Sequence, residues 1–202
     1  MENKNKQVKP RILVFDNYDS FTYNLVHLLE KIVHEKVDVV LNNQLTLEEV
    51  DQYDKIIISP GPGIPSEAGL LLSLLKKYIP SKNILGVCLG LQAIAEALGG
   101  SLLNLAEVYH GVATPVHIVN RAVGGNDIFE NVPDDFEAGR YHSWIVNEAT
   151  LPAELIVTAR DGNNLVMAFS HKKLKIHGVQ FHPESILTPY GEQIIRNWLA
   201  FA

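Results

Sequence analysis

The run Asn83-Ile84-Leu85-Gly86-Val87-Cys88-Leu89-Gly90, followed by Leu91 to Leu98 and then Gly99-Gly100, decides the architecture. Its first five residues form a short apolar run, the pattern of a buried strand. Leu89 to Leu98 reads as a helix, and the paired glycines after it are a C-terminal cap signal. A strand that turns straight into a helix is half of a βα unit. Such units stack into a parallel sheet whose ladders are covered on both faces.

Toward the N-terminus the same alternation recurs. Arg11–Asp16 is an apolar run, and Asn17-Tyr18-Asp19-Ser20 is a turn with Asp19 or Ser20 placed to cap a helix. Phe21, Leu25, Leu28, Leu29 and Ile32 then recur at helical spacing. Val37–Leu41 and Lys55–Ser59 read as strands, with a short helical piece at Leu47–Val50 between them. Pro60-Gly61-Pro62-Gly63-Ile64-Pro65 must be a loop, and Glu67–Tyr78 is the next helix. After Gly100 the pattern changes to short strand-like pieces: Ser101–Leu103, Thr114–Val119, Asp135–Ala138, Leu155–Ala159, Val166–Ser170 and Lys175–Phe181. Turns such as Gly124-Gly125-Asn126-Asp127 separate them, and Pro189–Phe201 reads as a closing helix. The expectation is an α/β fold: an open, mostly parallel twisted sheet with helices on both faces, plus a smaller antiparallel strand section. Residues 11–202 are expected to form a single domain behind a disordered leader at 1–10, which carries Lys4, Lys6 and Lys9.

Composition narrows the function classes. The chain has 202 residues, 47% hydrophobic and 20% charged, which suits one globular domain. Seventeen Lys and Arg against 23 Asp and Glu give a charge of −6, so nucleic acid is not expected as a partner. The densest apolar run, Leu70 to Leu75, is far below the roughly 18 residues of a membrane span. One cysteine rules out an intrachain disulfide and a multi-cysteine zinc site, and no metal is expected in this chain. No signal-peptide pattern follows Met1, so a cytoplasmic protein is expected.

Three pieces carry chemistry. Gly86-Val87-Cys88-Leu89-Gly90 has the form of a nucleophile elbow, with Cys where hydrolases often carry Ser. The glycines leave room for a tight turn, and the helix after it aims free N–H groups and a positive dipole end at the sulfur. Both effects favour the thiolate, which is the attacking species. A free cysteine is also a common core residue, and that reading stays open for Cys88 on its own. His182-Pro183-Glu184 follows a predicted strand; in extended backbone, side chains two apart share a face, so Glu184 can orient the imidazole. Alone, it also fits a solvated surface turn. Ser59-Pro60-Gly61-Pro62-Gly63 ends a strand at the sheet edge where α/β folds bind ligands. It lacks the Gly-Lys-Ser/Thr of a phosphate loop and the third glycine of a dinucleotide fingerprint.

In this order, Pro60–Gly63, then Gly86 through Gln92, then His182-Pro183-Glu184, the chain resembles the triad class of glutamine amidotransferases from about Arg11 onward. Phe15-Asp16-Asn17-Tyr18-Asp19-Ser20-Phe21-Thr22, His110-Gly111 and Tyr141-His142-Ser143-Trp144 resemble subunits that serve chorismate-using synthases, above all anthranilate synthase. The resemblance implies Cys88 as nucleophile, His182 as base and acid, and Glu184 as orienter. It implies oxyanion-hole N–H groups at Gly61 and Leu89, and a glutamine site at Gly61, Pro62, Gly63, Gln92, Ser143 and Trp144. The implied activity is hydrolysis of L-glutamine, with ammonia delivered to the large synthase chain, anthranilate synthase component I. No cofactor is implied in this chain, and magnesium is expected on the synthase partner. Alternatives are the subunit of aminodeoxychorismate synthase or one shared by both, a cysteine peptidase or thioesterase, and a non-catalytic binding module. Leu91 stands where relatives often carry His, which bears on helix packing. Trp144 stands where many carry Leu, which bears on pocket shape.

Overall fold

The computed structural model describes residues 9–121 and 127–201. In chain order the strands are β1 (Ile12–Asp16), β2 (Asp38–Leu41), β3 (Lys55–Ile58), β4 (Asn83–Val87), β5 (Leu102–Asn104), β6 (Val112–Ile118), β7 (Asp135–Arg140), β8 (Trp144–Val146), β9 (Leu155–Asp161), β10 (Val166–His171) and β11 (Ile176–Val179). The helices are α1 (Thr22–Val33), α2 (Leu71–Tyr78), α3 (Leu89–Ala97) and α4 (Gly191–Ala200). Nine strands form one sheet in the order β2-β1-β3-β4-β11-β10-β9-β6-β7, and β5 pairs with β8 separately. From β2 to β11 the pairs are parallel; from β11 to β7 they are antiparallel. The expected antiparallel section therefore continues the parallel sheet edge to edge.

Strand periodicity explains why both faces are covered. Leu13, Phe15, Ile56, Ile58 and Ile84 point to one side, where they meet α2 and α3 through Leu71, Leu74, Leu75 and Ile94. Ile12, Val14, Ile57, Leu85 and Val87 point to the other, against Leu25, Leu29, Ile194 and Trp198 of α1 and α4. Leu91 is fully buried in the first of these layers, over the bare backbone of Gly178 in β11. A side chain without polar atoms fits that contact, so α3 packs closely on the sheet.

Several boundaries differ from expectation. The helix expected from Glu67 starts at Leu71, because Pro65–Glu67 closes a separate 3-10 turn and Gly69 takes a positive φ of +54°. Asp19 does not cap α1; its carboxylate accepts from the Phe21 N–H at 2.7 Å and shapes the turn before the helix. The leader falls outside the described residues except for Lys9 and Pro10, as does the Gly124 turn except for Asp127. Among the described residues no helix is long and apolar enough to cross a membrane.

Candidate active site

The parallel strands β1, β3, β4 and β11 end at one edge of the sheet, and the chemistry-bearing segments leave from those ends. Cys88 joins β4 to α3 with φ 51° and ψ −100°. A non-glycine residue there costs about 1–3 kcal/mol and persists only where its surroundings impose it. Here the Cys88 N–H donates to the Val179 carbonyl at 2.8 Å, and its carbonyl accepts from the Gln92 N–H at 3.2 Å. A Cβ on Gly86 would lie 2.4 Å from the Gly90 carbonyl, and one on Gly90 would lie 2.8 Å from the Ile58 oxygen. Both glycines are therefore required by close backbone approach. Leu89 opens α3, so its N–H belongs to the first turn, whose donors have no acceptor within the helix.

His182 and Glu184 are buried together, and His182 Nδ1 donates to Glu184 Oε1 at 2.7 Å. Extended backbone does not make this pair, contrary to expectation: β11 ends at Val179, and the Ser185 N–H closes a turn onto the His182 carbonyl at 3.2 Å. The turn folds Glu184 back beneath the ring. His182 Nε2 is buried and has no hydrogen-bond partner among the described residues, while the Cys88 sulfur is near enough to bear on the charge of the ring. Burial of the ring opposes its charge. The Cys88 sulfur and the Glu184 carboxylate outweigh burial and raise the imidazole to about 10. The rings of Phe21 and Tyr141 pack on the imidazole at 5.6 and 4.8 Å between centroids. Asp19 behind this group has its carboxyl raised, chiefly by burial.

A cavity of about 210 Å³ opens at the sulfur. Gly61, Pro62, Gly63, Leu89, Gln92, Ser143 and Trp144 all line it with Cys88, so every residue expected at the glutamine site is brought together. The proline–glycine loop is pinned from β1: the Asn17 N–H donates to Ser59 Oγ at 2.9 Å and its side-chain amide to the Ser59 carbonyl at 3.0 Å. Gly61 sits so close that a Cβ would lie 2.6 Å from both Asn17 Cβ and Leu89 Cδ2. On the far wall the Gln92 amide donates to the Trp144 carbonyl at 2.9 Å, which also accepts from His142 Nδ1 at 3.0 Å. Burial, with Arg140 beside it, lowers His142 to about 3 and keeps it neutral. Arg140 is itself buried, paired with Asp161 at 2.6 Å.

Four residues that touch this site carried no expected role: Phe21, Tyr141, His142 and Gln180. Gln180 was within reach of the strand rule, since it lies two residues before His182. The aromatic packing had no signal in spacing, because Phe21 and Tyr141 come from distant segments.

The arrangement offers a sulfur on a helix N-terminus, an imidazolium backed by a carboxylate, and a pocket for a small polar ligand. That set suits acyl transfer. Comparison with known proteins agrees. Residues 13–201 match the family model described as "Glutamine amidotransferase class-I". The chain is 45% identical over 194 residues to anthranilate synthase component 2 of Thermus thermophilus, covering 94% of this chain and 91% of that protein. It is 42% identical over 190 residues to the aminodeoxychorismate/anthranilate synthase component 2 of Bacillus subtilis, covering 93% and 95%. A crystal structure of a protein from Thermoplasma acidophilum, provisionally described as a GMP synthase subunit, superposes with a TM-score of 0.80 at 29% identity, covering 95% of this chain and 93% of that one. The chain belongs to the class-I glutamine amidotransferases.

Proposed function

We propose that this protein is the glutaminase subunit of anthranilate synthase, hydrolysing L-glutamine on Cys88 and passing ammonia to component I. The carrying observation is the buried His182–Glu184 pair, whose charge the Cys88 sulfur supports, beside a cavity that gathers Cys88, Gly61, Gln92 and Trp144. Cys88 thiolate attacks the side-chain amide carbon of glutamine, and the carbonyl electron pair moves to oxygen. The N–H groups of Gly61 and Leu89 take up that oxyanion. The C–N bond then breaks as His182 gives its Nε2 proton to the leaving nitrogen. The imidazole, now neutral, takes a proton from water as that water attacks the thioester. The C–S bond breaks and glutamate leaves. Glu184 orients the ring and stabilises the imidazolium before the proton leaves and after it returns.

Ammonia in neutral water is mostly ammonium, which is not nucleophilic, so a useful product needs an acceptor site close at hand. The large subunit would supply that site and chorismate, and would hold the magnesium. A cytoplasmic setting, where a lone thiol stays reduced, suits the single cysteine. The test is glutaminase rate with and without chorismate and the large subunit of an anthranilate synthase. Stimulation by both is expected, with Cys88→Ala abolishing glutamine hydrolysis while added ammonium salts still support the synthase. A rate unaffected by either addition removes the partner claim. A second reading, a subunit shared with aminodeoxychorismate synthase, is favoured by the double name of the Bacillus subtilis relative. Ammonia transfer measured with each purified synthase subunit separates the two.

A further inference from the structure

The fully buried side chain of Gln180 links two parts of the site that the mechanism uses separately. It follows β11 and is anchored by its N–H to the Met167 carbonyl at 2.8 Å. Its Nε2 donates to Cys88 Sγ at 3.5 Å, and its Oε1 accepts from Gln92 Nε2 at 3.2 Å. This orientation is forced from some distance away. Arg140 Nε can only donate, and it donates to His142 Nε2 at 3.1 Å. The proton of neutral His142 is then on Nδ1, which donates to the Trp144 carbonyl. That carbonyl can only accept, so Gln92 must turn its amide nitrogen toward it. The second hydrogen on the same nitrogen needs an acceptor, so Gln180 presents Oε1 to Gln92 and Nε2 to the sulfur. A reversed Gln180 would set N–H against N–H at one end and a carbonyl oxygen against sulfur at the other.

We propose that Gln180 is a positioning residue whose amide N–H, fixed by the Trp144–Gln92 relay, holds the Cys88 sulfur as its acceptor and aims it into the cavity. An N–H···S bond strengthens when the sulfur is charged, so its loss should slow a reaction that runs through the thiolate. Both hydrogens of Gln92 are spent in the relay, which leaves its Oε1, an acceptor, for a ligand in the cavity. The purpose of this device rests on the glutaminase reading, but its chemistry can be measured without glutamine.

Cys88 is the only cysteine, so alkylation by iodoacetamide reports on this sulfur alone. Two variants separate the effects. Gln180→Met keeps the length and removes the donor. Gln180→Glu keeps an acceptor for Gln92 and puts a carboxylate at the sulfur. The other ionisable groups around the sulfur and its partner ring, His182, Glu184, His142, Tyr141 and Asp19, are unchanged in both. At pH 6 the alkylation rate should fall about tenfold in Gln180→Met, the size of one charge-assisted hydrogen bond, and further in Gln180→Glu. Near pH 10 all three proteins should react alike. Gln92→Leu leaves Gln180 in place but free to turn, and should show a smaller loss in the same direction. It decides the matter if neither Gln180 variant folds. Profiles that superimpose on the parent overturn the proposal and leave the glutaminase reading standing. A parent protein that never hydrolyses glutamine with its partner removes that reading and leaves this one intact.

Discussion

At the scale of single residues, the site depends on how firmly one ring holds its proton. His182 is buried, which alone would make it neutral, yet the Cys88 sulfur and Glu184 raise it to about 10. The imidazolium should therefore persist through the neutral range and be lost only as pH rises toward that value. Removing the Glu184 charge removes one of the supports, so in Glu184→Gln the proton should leave at lower pH. The alkaline limb of kcat/KM for glutamine is expected near pH 10 in the parent and at least one pH unit lower in Glu184→Gln, with activity reduced by about 10²-fold or more. A limb in the same place in both proteins would show that Glu184 does not act on the ring. The pairing was legible in the sequence, but for a reason the structure replaces. Spacing suggested a shared strand face, whereas a turn closed on the His182 carbonyl makes the contact. A His-Pro-Glu tripeptide fits either backbone, and only the tertiary setting chooses.

Elements impose a second kind of constraint, because the elbow between β4 and α3 works only if two glycines are bare. A methyl group on Gly86 would meet the backbone of Gly90 at 2.4 Å, and backbone cannot swing aside as a side chain can. Gly86→Ala should therefore cost more than the about 1–3 kcal/mol typical of overpacking. Gly162→Ala, where an added Cβ has open space, should stay within about 0.5 kcal/mol of the parent. Urea denaturation of the two variants beside the parent tests the contrast; equal midpoints would contradict it. The same elbow was the most legible part of the fold, since an apolar run, a Gly-x-Cys-x-Gly turn and a helix are all local signals. The elements that escaped notice were those with weak local signals. β8 has only three residues and takes its place by pairing with β5, and the start of α2 was set by the positive φ of Gly69.

For the molecule as a whole, the decisive fact is the insertion of β11 beside β4, far from it in sequence. Their parallel register pairs Gly86 with Gly178 and Val87 with Val179, so both strands end level and deliver Cys88, Gln180 and His182 to one place. Periodicity identified the central strands β1, β3, β4 and β11 but could not order them, because all four are similarly apolar. The same strand brings a cost. His177 of β11 is buried and bonded through Nδ1 to the Ser170 hydroxyl at 3.0 Å, and burial lowers it to about 4. His142 is lowered further, to about 3. In the unfolded chain both would titrate near the ordinary histidine value of about 6.5. As pH falls below that value the unfolded state takes up two protons that the native state refuses, so stability must decline with acid. Each group contributes about 1.4 kcal/mol per pH unit until its folded value is reached. His177→Gln should flatten the fall in unfolding free energy between pH 6 and 4.5 by about one proton, whatever it does to the absolute level. Urea titrations across that range measure the slope directly, and a variant slope equal to the parent's would mean that His177 is not held neutral by the sheet around it.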